Sequence, residues 1–218
     1  MSPLRQPSER VNPVKLATVF VVDDDDAMLA SIRFLIESVE LYVKTFSSAH
    51  EFLEKYQPEE RGCLILDVRM SGMSGLELQQ QLNEKHIDIP IIFITGHGDV
   101  PMAIKAMKAK AFEFLTKPFN DQTLLDSINK AIAHDAKKYA DREKIKAICD
   151  CVDRLTPREK EVMRLVVAGK LNKVIAAELD ISPKTVELHR SKIMEKMDVS
   201  SLADLVRVVL TYQHVLEE

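Results

Sequence analysis

The stretch Cys63-Leu64-Ile65-Leu66-Asp67 decides the fold of this chain. It is a short apolar run that follows Gly62 and precedes a loop with two further glycines, and such a run is typical of a buried β-strand. The run ends in a single carboxylate. Because the chemistry of an open parallel sheet lies beyond the carboxyl ends of its strands, Asp67 occupies the place where a nucleophile is expected.

Strand and helix patterns alternate on both sides of this stretch. Apolar and β-branched runs predict four more strands, at Thr18–Val22, Leu41–Phe46, Pro90–Thr95 and Ala111–Leu115. A segment with helical spacing of its apolar residues follows each of the five runs. The alternation predicts an α/β fold, a five-stranded, doubly wound parallel sheet with helices on both faces and right-handed crossovers.

The rest of the chain has only helical signals. Residues 119–156 contain neither proline nor glycine, which predicts that the fifth helix continues into a helical linker; a frayed linker with a short second helix is the alternative. Helix caps at Thr156, Ser182 and Ser200 or Ser201, together with a short helix at about Asn172–Leu179, predict four short helices beyond it. We therefore divide the chain into a disordered leader (1–16), an α/β domain (17–133), a helical linker (134–153) and a small all-α domain (154–218).

Composition limits the classes of protein to which the chain can belong. It has 218 residues and a net charge of −4, which excludes a uniformly basic nucleic-acid binder. Residues 154–218 carry 11 Lys and Arg against 10 Asp and Glu, so any contact with DNA would come from a local patch. No apolar run approaches the ~20 residues of a membrane helix, and the three cysteines lack metal-ligand spacing. These features favour a cytoplasmic protein with free thiols and no membrane partner.

Polar side chains from several strand ends converge at one edge of the predicted sheet. Asp23 and Asp24 follow the first strand, Asp67 ends the third, Thr95 ends the fourth and Lys117 follows the fifth. Carboxylates this close together stay ionised only beside a cation, and oxygen ligands without Cys or His select Mg²⁺. The ion would leave Asp67 a competent nucleophile, while Lys117 and the Thr95 hydroxyl hold phosphoryl oxygens. The set therefore predicts phosphoryl transfer.

Four motifs in this domain resemble the receiver domain of two-component response regulators. They are Val-Val-Asp23-Asp24, Leu-Ile-Leu-Asp67, Ile-Thr95-Gly and Leu-Thr-Lys117-Pro-Phe, in the order and at the spacing of that family. The resemblance covers residues 17–133. It implies a flavodoxin-like sheet and a phosphoacceptor role for Asp67.

The same resemblance implies a ligand set and a switch. By it, Asp24 binds Mg²⁺ directly, Asp23 binds it mainly through water, and the Arg69 carbonyl supplies another ligand. Thr95 and Phe114 match the pair that reorients on phosphorylation. Because the family often has Tyr where Phe114 stands, and Phe has no hydroxyl, the switch here is expected to be a change of packing.

The third helix of the all-α domain has two different faces. Val186, His189, Ile193 and Met197 repeat at helical spacing and are expected to pack inward. Its other side is polar and partly basic, with Arg190, Lys192 and Lys196 placed to contact phosphates. A short capped helix of this kind suits the major groove of DNA. Taken alone, an ordinary amphipathic surface helix is the alternative.

Three motifs across residues 153–210 resemble the LuxR-type helix-turn-helix. They are Leu-Thr-Pro-Arg-Glu-x-Glu-Val, Asn172-Lys-x-Ile-Ala-x-x-Leu and Ser182-Pro-Lys-Thr-Val-Glu-x-His. With a receiver in front, the whole chain is similar to FixJ/NarL-type regulators, and closer to the FixJ branch. The resemblance implies that the fourth helix is a dimer surface. It implies DNA contacts from the following residues: Lys173, Lys184, Thr185, Glu187, Leu188, Arg190, Ser191 and Lys192.

The sequence thus predicts a phosphorylation-dependent transcriptional activator. Its expected partners are a sensor histidine kinase, promoter DNA, a second copy of the chain and, as a further candidate, RNA polymerase. It is expected to be no enzyme beyond its own phosphoryl transfer and dephosphorylation. The alternative is a haloacid-dehalogenase-type phosphatase, but that pattern has Thr where Ala27 stands and would leave Asp67 unused. A phosphate sink without output is disfavoured by the complete helix-turn-helix.

Overall fold

Five parallel strands form a single sheet in the order β2-β1-β3-β4-β5. The computed structural model describes residues 17–96 and 100–216, so the predicted leader lies outside the described residues. The strands are β1 (Thr18–Val22), β2 (Tyr42–Phe46), β3 (Gly62–Asp67), β4 (Ile91–Thr95) and β5 (Glu113–Thr116). The helices between them are α1 (Asp26–Ser38), α2 (Ala49–Lys55), α3 (Gly75–Glu84) and α4 (Val100–Lys108). This order and pairing confirm the predicted doubly wound, flavodoxin-like sheet.

The central strand β3 is buried along its whole length. Its side chains alternate between two apolar layers, as the period of a strand requires. Leu64 and Leu66 belong to the layer on the side of α2 and α3, whereas Cys63 and Ile65 belong to the layer that also contains side chains of α1. Because both faces are covered, β3 is a continuous apolar run rather than an alternating one.

A glycine allows helix α3 to approach the end of β3 closely. A Cβ atom at Gly75 would lie 2.2 Å from the Asp67 carbonyl oxygen, so no other residue fits there without a shift of the backbone. The α3 N-terminus has a complete capping box between Ser74 and Glu77. The beginning of this helix is therefore fixed beside the carboxylate that ends β3.

Strand β5 begins two residues later than the sequence predicted. Ala111 is not part of it because it closes α4: its N–H donates to Ala106 O at 3.0 Å, and Lys110 N–H donates to Met107 O at 3.0 Å. These two bonds form a Schellman motif, with Lys110 in the left-handed region at φ 68°. The motif usually has glycine at this position, and without that glycine the sequence did not show that Ala111 belongs to the end of the helix rather than to the strand.

Replacing Lys110 with glycine should stabilise the first part of the chain. A side chain in the left-handed region costs about 1 kcal/mol of free energy. This cost exceeds the free energy that is lost because glycine makes the unfolded chain more flexible. Urea unfolding of Lys110→Gly should give a free energy of unfolding about 0.5–1 kcal/mol higher. The matched control is Lys108→Gly, inside the last turn of α4, which should destabilise by a similar amount. A loss of stability in both variants would contradict the assignment of strain to Lys110.

Helix α5 (Asp121–Asp153) is continuous over 33 residues, so the structure has the unbroken helix rather than the frayed alternative. The chain divides into two compact units between Lys138 and Tyr139. Asp135 Oδ2 accepts from Arg61 Nε at 2.9 Å and from Gly62 N–H at 3.2 Å, and Lys138 pairs with Asp88. The first five residues of the segment that we predicted as linker are therefore attached to the sheet.

The second unit consists of the end of α5 and four further helices, α6 (Pro157–Val167), α7 (Asn172–Glu178), α8 (Pro183–Lys196) and α9 (Leu202–Leu216). Thr156, Ser182 and Ser201 accept bonds from the first turns, as expected for N-caps. Buried residues from all these helices form one core, including Val162, Ile175, Val186 and Val209. No helix in the described part of the chain is long and apolar enough to cross a membrane.

Candidate functional site

Three strand ends bring a lysine between two buried carboxylates. Lys117 Nζ lies 2.9 Å from Asp23 Oδ2 and 2.9 Å from Asp67 Oδ1. Asp23 is 1% exposed and Asp67 is 6% exposed. The loop after β5 carries the lysine, and its backbone is fixed by a bond from Lys117 N–H to Thr95 O at 2.7 Å. The site is thus built from the ends of β1, β3, β4 and β5, where a parallel sheet places its chemistry.

The charges of this cluster depend on one another. Burial raises the pKa of Asp67, and the bond and positive charge of Lys117 oppose that rise. Burial by itself would lower the pKa of Lys117, but the bonds that it donates to Asp23 and Asp67 outweigh this effect and raise the pKa above its ordinary value. The lysine therefore stays a cation beside Asp67.

Asp24 does not join this cluster. Its Oδ2 accepts from the Ser71 backbone N–H at 2.7 Å and from Ser71 Oγ at 2.8 Å. These bonds, the backbone one first, hold the pKa of the exposed Asp24 carboxyl below its ordinary value. Ser71 could not be recognised as a partner of Asp24 from the sequence, since a serine in a loop is common. Arg69 lies nearby in the same loop, with its N–H donating to Asp67 Oδ2 at 2.7 Å.

The predicted magnesium ligands are chemically suitable but are not gathered around a common point. Among residues 17–96 and 100–216, no group of three or more Asp, Glu, His or Cys side chains is arranged to hold a metal ion. The reason is that Lys117 lies between Asp23 and Asp67, while Ser71 binds Asp24. The donors are nevertheless all oxygens, the set that fits a hard cation.

The predicted switch residues lie on neighbouring strands. Thr95 is 1% exposed at the end of β4. Phe114 in β5 lies opposite Phe93 in β4, and the centroids of the two rings are 6.3 Å apart. Phe114 is partly buried and packs against the α2/α3 layer. Phe114 therefore contacts the core through its ring, as a switch based on packing requires.

Helix α8 exposes most of the predicted DNA-contacting side chains. Val186 and Ile193 are buried on its inner face and His189 is partly buried, while Leu188 is 56% exposed on the other side. Thr185 is partly buried and its hydroxyl lies 2.8 Å from that of Ser182, within the helix cap. The exposed predicted contacts are Lys173, Lys184, Glu187, Leu188, Ser191 and Lys192.

Two basic residues of α8 have partners inside the second unit. Arg190 Nη1 donates to Asn172 Oδ1 at 2.9 Å, which joins α8 to the first residue of α7. Lys196 Nζ donates to Glu159 Oε2 at 2.7 Å, and Glu159 is 3% exposed. We expected Lys196 to contact phosphate, and the structure instead directs it to a buried carboxylate. The sequence identified Glu159 as a capping residue but gave no sign of this ion pair.

Two family models match the chain. The response regulator receiver domain matches residues 19–129, and the LuxR family of bacterial regulatory proteins matches residues 153–209. The chain belongs to the two-component response regulators with a LuxR-type DNA-binding domain. This assignment confirms the family and fold that the sequence motifs indicated.

Relatives of this response regulator match it over most of its length. The response regulator protein TodT of Pseudomonas putida is 45% identical and covers 98% of this chain and 92% of TodT. The transcriptional regulatory protein FixJ of Rhizobium meliloti is 44% identical over 88% of this chain and 95% of FixJ. The solved structure of the response regulator StyR has a TM-score of 0.84 at 48% identity, covering 90% of this chain and 99% of StyR.

Membership in this family establishes the general activity. The chain is a DNA-binding transcription regulator of a two-component system, and its receiver domain implies a histidine kinase as partner. The family is not one of metabolic enzymes, so the phosphatase alternative is not supported. Receiver domains generally bind Mg²⁺ at their phosphorylation site.

Proposed function

We propose that this response regulator acts in the cytoplasm, where it accepts a phosphoryl group on Asp67 from a sensor histidine kinase, then dimerises and activates transcription from promoter DNA. The observation that supports the first step is the placement of Lys117 Nζ at 2.9 Å from both Asp23 and Asp67, at the end of the buried strand β3. An activator bound at a promoter acts on RNA polymerase, which we include as a partner on that ground.

In the proposed step, an Asp67 carboxylate oxygen attacks the phosphorus of a kinase phosphohistidine. A P–O bond to Asp67 forms while the P–N bond breaks, and the imidazole leaves. Lys117 and the Thr95 hydroxyl would hold two of the phosphoryl oxygens. Asp23, Asp24, Asp67 and the Arg69 carbonyl would hold Mg²⁺, with Asp24 first releasing Ser71. When bound, the ion supplies positive charge that offsets the carboxylates and the phosphoryl group.

The proposed switch carries the change away from Asp67. When Thr95 turns towards the phosphoryl group, it leaves room beside β5 into which the Phe114 ring can move. This rearrangement would alter the surface formed by α4 and β5, where two chains can pair. Phosphorylation can shift the monomer–dimer population only by its differential affinity for the two states, and a few kcal/mol suffices.

Sedimentation should show dimerisation of the full-length chain with beryllofluoride, a phosphoryl mimic, in the presence of Mg²⁺. The expected result is a monomer without the mimic and a dimer with it, at the same protein concentration. If the mimic raised DNA affinity while the protein stayed monomeric on and off DNA, dimerisation would be refuted. Release of the helix-turn-helix from the receiver would then be the better account.

DNA binding is proposed to divide between phosphate contacts and base contacts, made by the exposed side of α8 and by Lys173 at the start of α7. Lys173, Lys184 and Lys192 are exposed cations suited to phosphates. Glu187, Leu188 and Ser191 would meet base edges, where a carboxylate can accept from cytosine and an apolar side chain can contact the thymine methyl. Arg190 and Thr185 are partly buried. Arg190 would contact a phosphate either with the N–H groups that do not bind Asn172 or after its bond to Asn172 breaks.

Substitutions of Lys192 and Leu188 should have different effects on DNA binding. Lys192→Ala should weaken binding to all sequences and reduce the salt dependence by about one unit of log–log slope, since one phosphate contact is lost. Leu188→Ala should change sequence preference and leave the slope unchanged. Binding titrations at several salt concentrations measure both. A change of preference with an unchanged slope in Lys192→Ala would show that the assignment of these two side chains is wrong.

A further inference from the structure

A buried glutamine joins helices α3 and α4. Gln79 of α3 is 1% exposed, and its Nε2 donates to Ala106 O at 3.2 Å and to Ala109 O at 3.0 Å. Asn83, one turn further along α3, donates its Nδ2 to the same Ala109 O at 3.2 Å. We name these four residues the α3–α4 clamp. It attaches the C-terminal end of α4 to α3 through side-chain amides.

The bond from Gln79 to Ala106 O is not needed to complete the end of α4. Ala106 O already accepts the Schellman bond from Ala111 N–H, so the bond from Gln79 is additional. The Gln79 Oε1 atom is buried without a hydrogen-bond partner, which costs free energy. Its neighbours on the same helix face, Leu78 and Leu82, are fully buried apolar residues. A leucine would therefore fill this space without an unpaired acceptor, and what the amide adds is a fixed position for the end of α4.

Helix α4 has few buried apolar contacts with the domain apart from Met102, which packs partly buried against the core. Among its described side chains, residues 101–108, only Ala106 is fully buried. Ile104 and Met107 are 48% and 47% exposed. A helix with so few buried apolar contacts belongs to the least stable part of a domain. The clamp at its C-terminal end therefore accounts for a large share of what holds it in place.

We infer that Gln79 is a positioning residue that sets the resting position of α4, and that it thereby limits the fraction of unmodified chains in the activated arrangement. The second half of this inference rests on the proposed function, because α4 follows Thr95 in the chain and borders the proposed dimer surface. Loss of the clamp would free the C-terminal end of α4. It would also reduce the free-energy difference between the resting position of the helix and its position in the activated arrangement.

Hydrogen exchange of the full-length chain, without any phosphoryl mimic, tests the first half. In Gln79→Leu, backbone amides of residues 102–109 should exchange roughly tenfold faster, since about 1.4 kcal/mol of buried hydrogen bonding is lost. Amides of β1 and β3 should be unchanged. Gln80→Leu, the exposed neighbour on α3, is the matched control and should exchange like the natural protein. Unchanged exchange in α4, or an equal increase throughout the sheet domain, would overturn the inference.

Asn83→Ala is a second variant that keeps the inference falsifiable if Gln79→Leu does not fold. Asn83 is exposed and makes one bond of the clamp, so α4 exchange should rise about two- to threefold, and no increase would overturn the inference.

Sedimentation tests the second half of the inference, the limit on the activated arrangement. Gln79→Leu should dimerise with beryllofluoride at a protein concentration several-fold lower than the natural protein, and an equal concentration would refute that half. If the natural protein does not respond to the mimic at all, the proposed function fails while the exchange result stands.

Discussion

Asp67→Asn should take up no phosphoryl group from acetyl phosphate or from a histidine kinase. Asparagine has nearly the same shape as aspartate but cannot form the acyl phosphate, because its amide is not a nucleophile under these conditions. In the natural protein this carboxylate ends the buried strand β3, 2.9 Å from Lys117 Nζ. Labelling with radioactive acetyl phosphate in Mg²⁺, followed by gel electrophoresis, measures the result directly. The expected loss is complete rather than partial.

The matched control for this variant is Asp25→Asn. Asp25 is exposed two residues from Asp23 and caps α1 by accepting from Ala27 N–H at 2.9 Å, a role that asparagine fills equally well. Its labelling should therefore match that of the natural protein. Stoichiometric label in Asp67→Asn would show that another residue accepts the phosphoryl group. Continuous release of phosphate from a free phosphoester by the natural protein would instead favour an enzyme.

Lys196→Met should destabilise the helix-turn-helix unit by about 2–3 kcal/mol. Glu159 is 3% exposed and its carboxylate receives the Lys196 ammonium at 2.7 Å, so removal of the lysine leaves a buried charge unpaired. Methionine preserves most of the apolar stem, which separates the loss of charge from a loss of packing. Urea unfolding followed by circular dichroism, with hydrogen exchange to assign the transition of this unit, gives the change in free energy.

Two further variants test this explanation. Lys192→Met changes an exposed lysine on the same helix and should alter stability by less than about 0.5 kcal/mol. The double variant Glu159→Gln with Lys196→Met removes both charges, and glutamine still accepts from Thr156 N–H in the capping box. It should recover most of the stability. A double variant as unstable as Lys196→Met would show that the unpaired charge is not the cause.

The ion pair also predicts a dependence on pH. Burial raises the pKa of Glu159, but the bonds from Lys196 and Thr156 outweigh it and hold the pKa below its ordinary value. A carboxylate of this kind stabilises the fold above its unfolded pKa, and the stabilisation is lost as the pH falls through its folded pKa. The helix-turn-helix unit should therefore lose stability below about pH 4.3, and the double variant should lose less.

The sequence was enough to predict the sheet and its active edge because the determining signals are local. The run that ends at Asp67, and the strands that end beside Asp23, Thr95 and Lys117, are apolar and contiguous, and parallel topology brings their ends together without further information. What the sequence did not show depends on contacts distant in the chain. The bond from Ser71 to Asp24 spans 47 residues, and the ion pair from Lys196 to Glu159 spans 37.

Other features could not be predicted from the sequence because the residue at the position is of a type that is unusual there. Lys110 has a left-handed backbone that usually indicates glycine, so the cap that includes Ala111 was not recognised and β5 was predicted too early. Gln79 is a polar residue at a buried position, and its residue type does not indicate which groups it binds. Arg190 lies on a helix predicted to bind DNA, but its partial burial follows from Asn172 of the preceding helix. In each case tertiary contacts override the preference of the residue.

The bonds to Asp135 decide where the receiver could be cut from the rest of the chain. The apolar stripe of α5 ends at Ile132, and a fragment terminated just beyond it, at Ala133, follows the hydrophobic pattern. Such a fragment would remove the acceptor of the Gly62 N–H, the first residue of the strand that carries Asp67 at its other end. A fragment extended to Lys138 retains that acceptor and the pair with Asp88. Excision at 133 would thus fray the base of β3, the strand whose opposite end carries Asp67, the proposed phosphoacceptor.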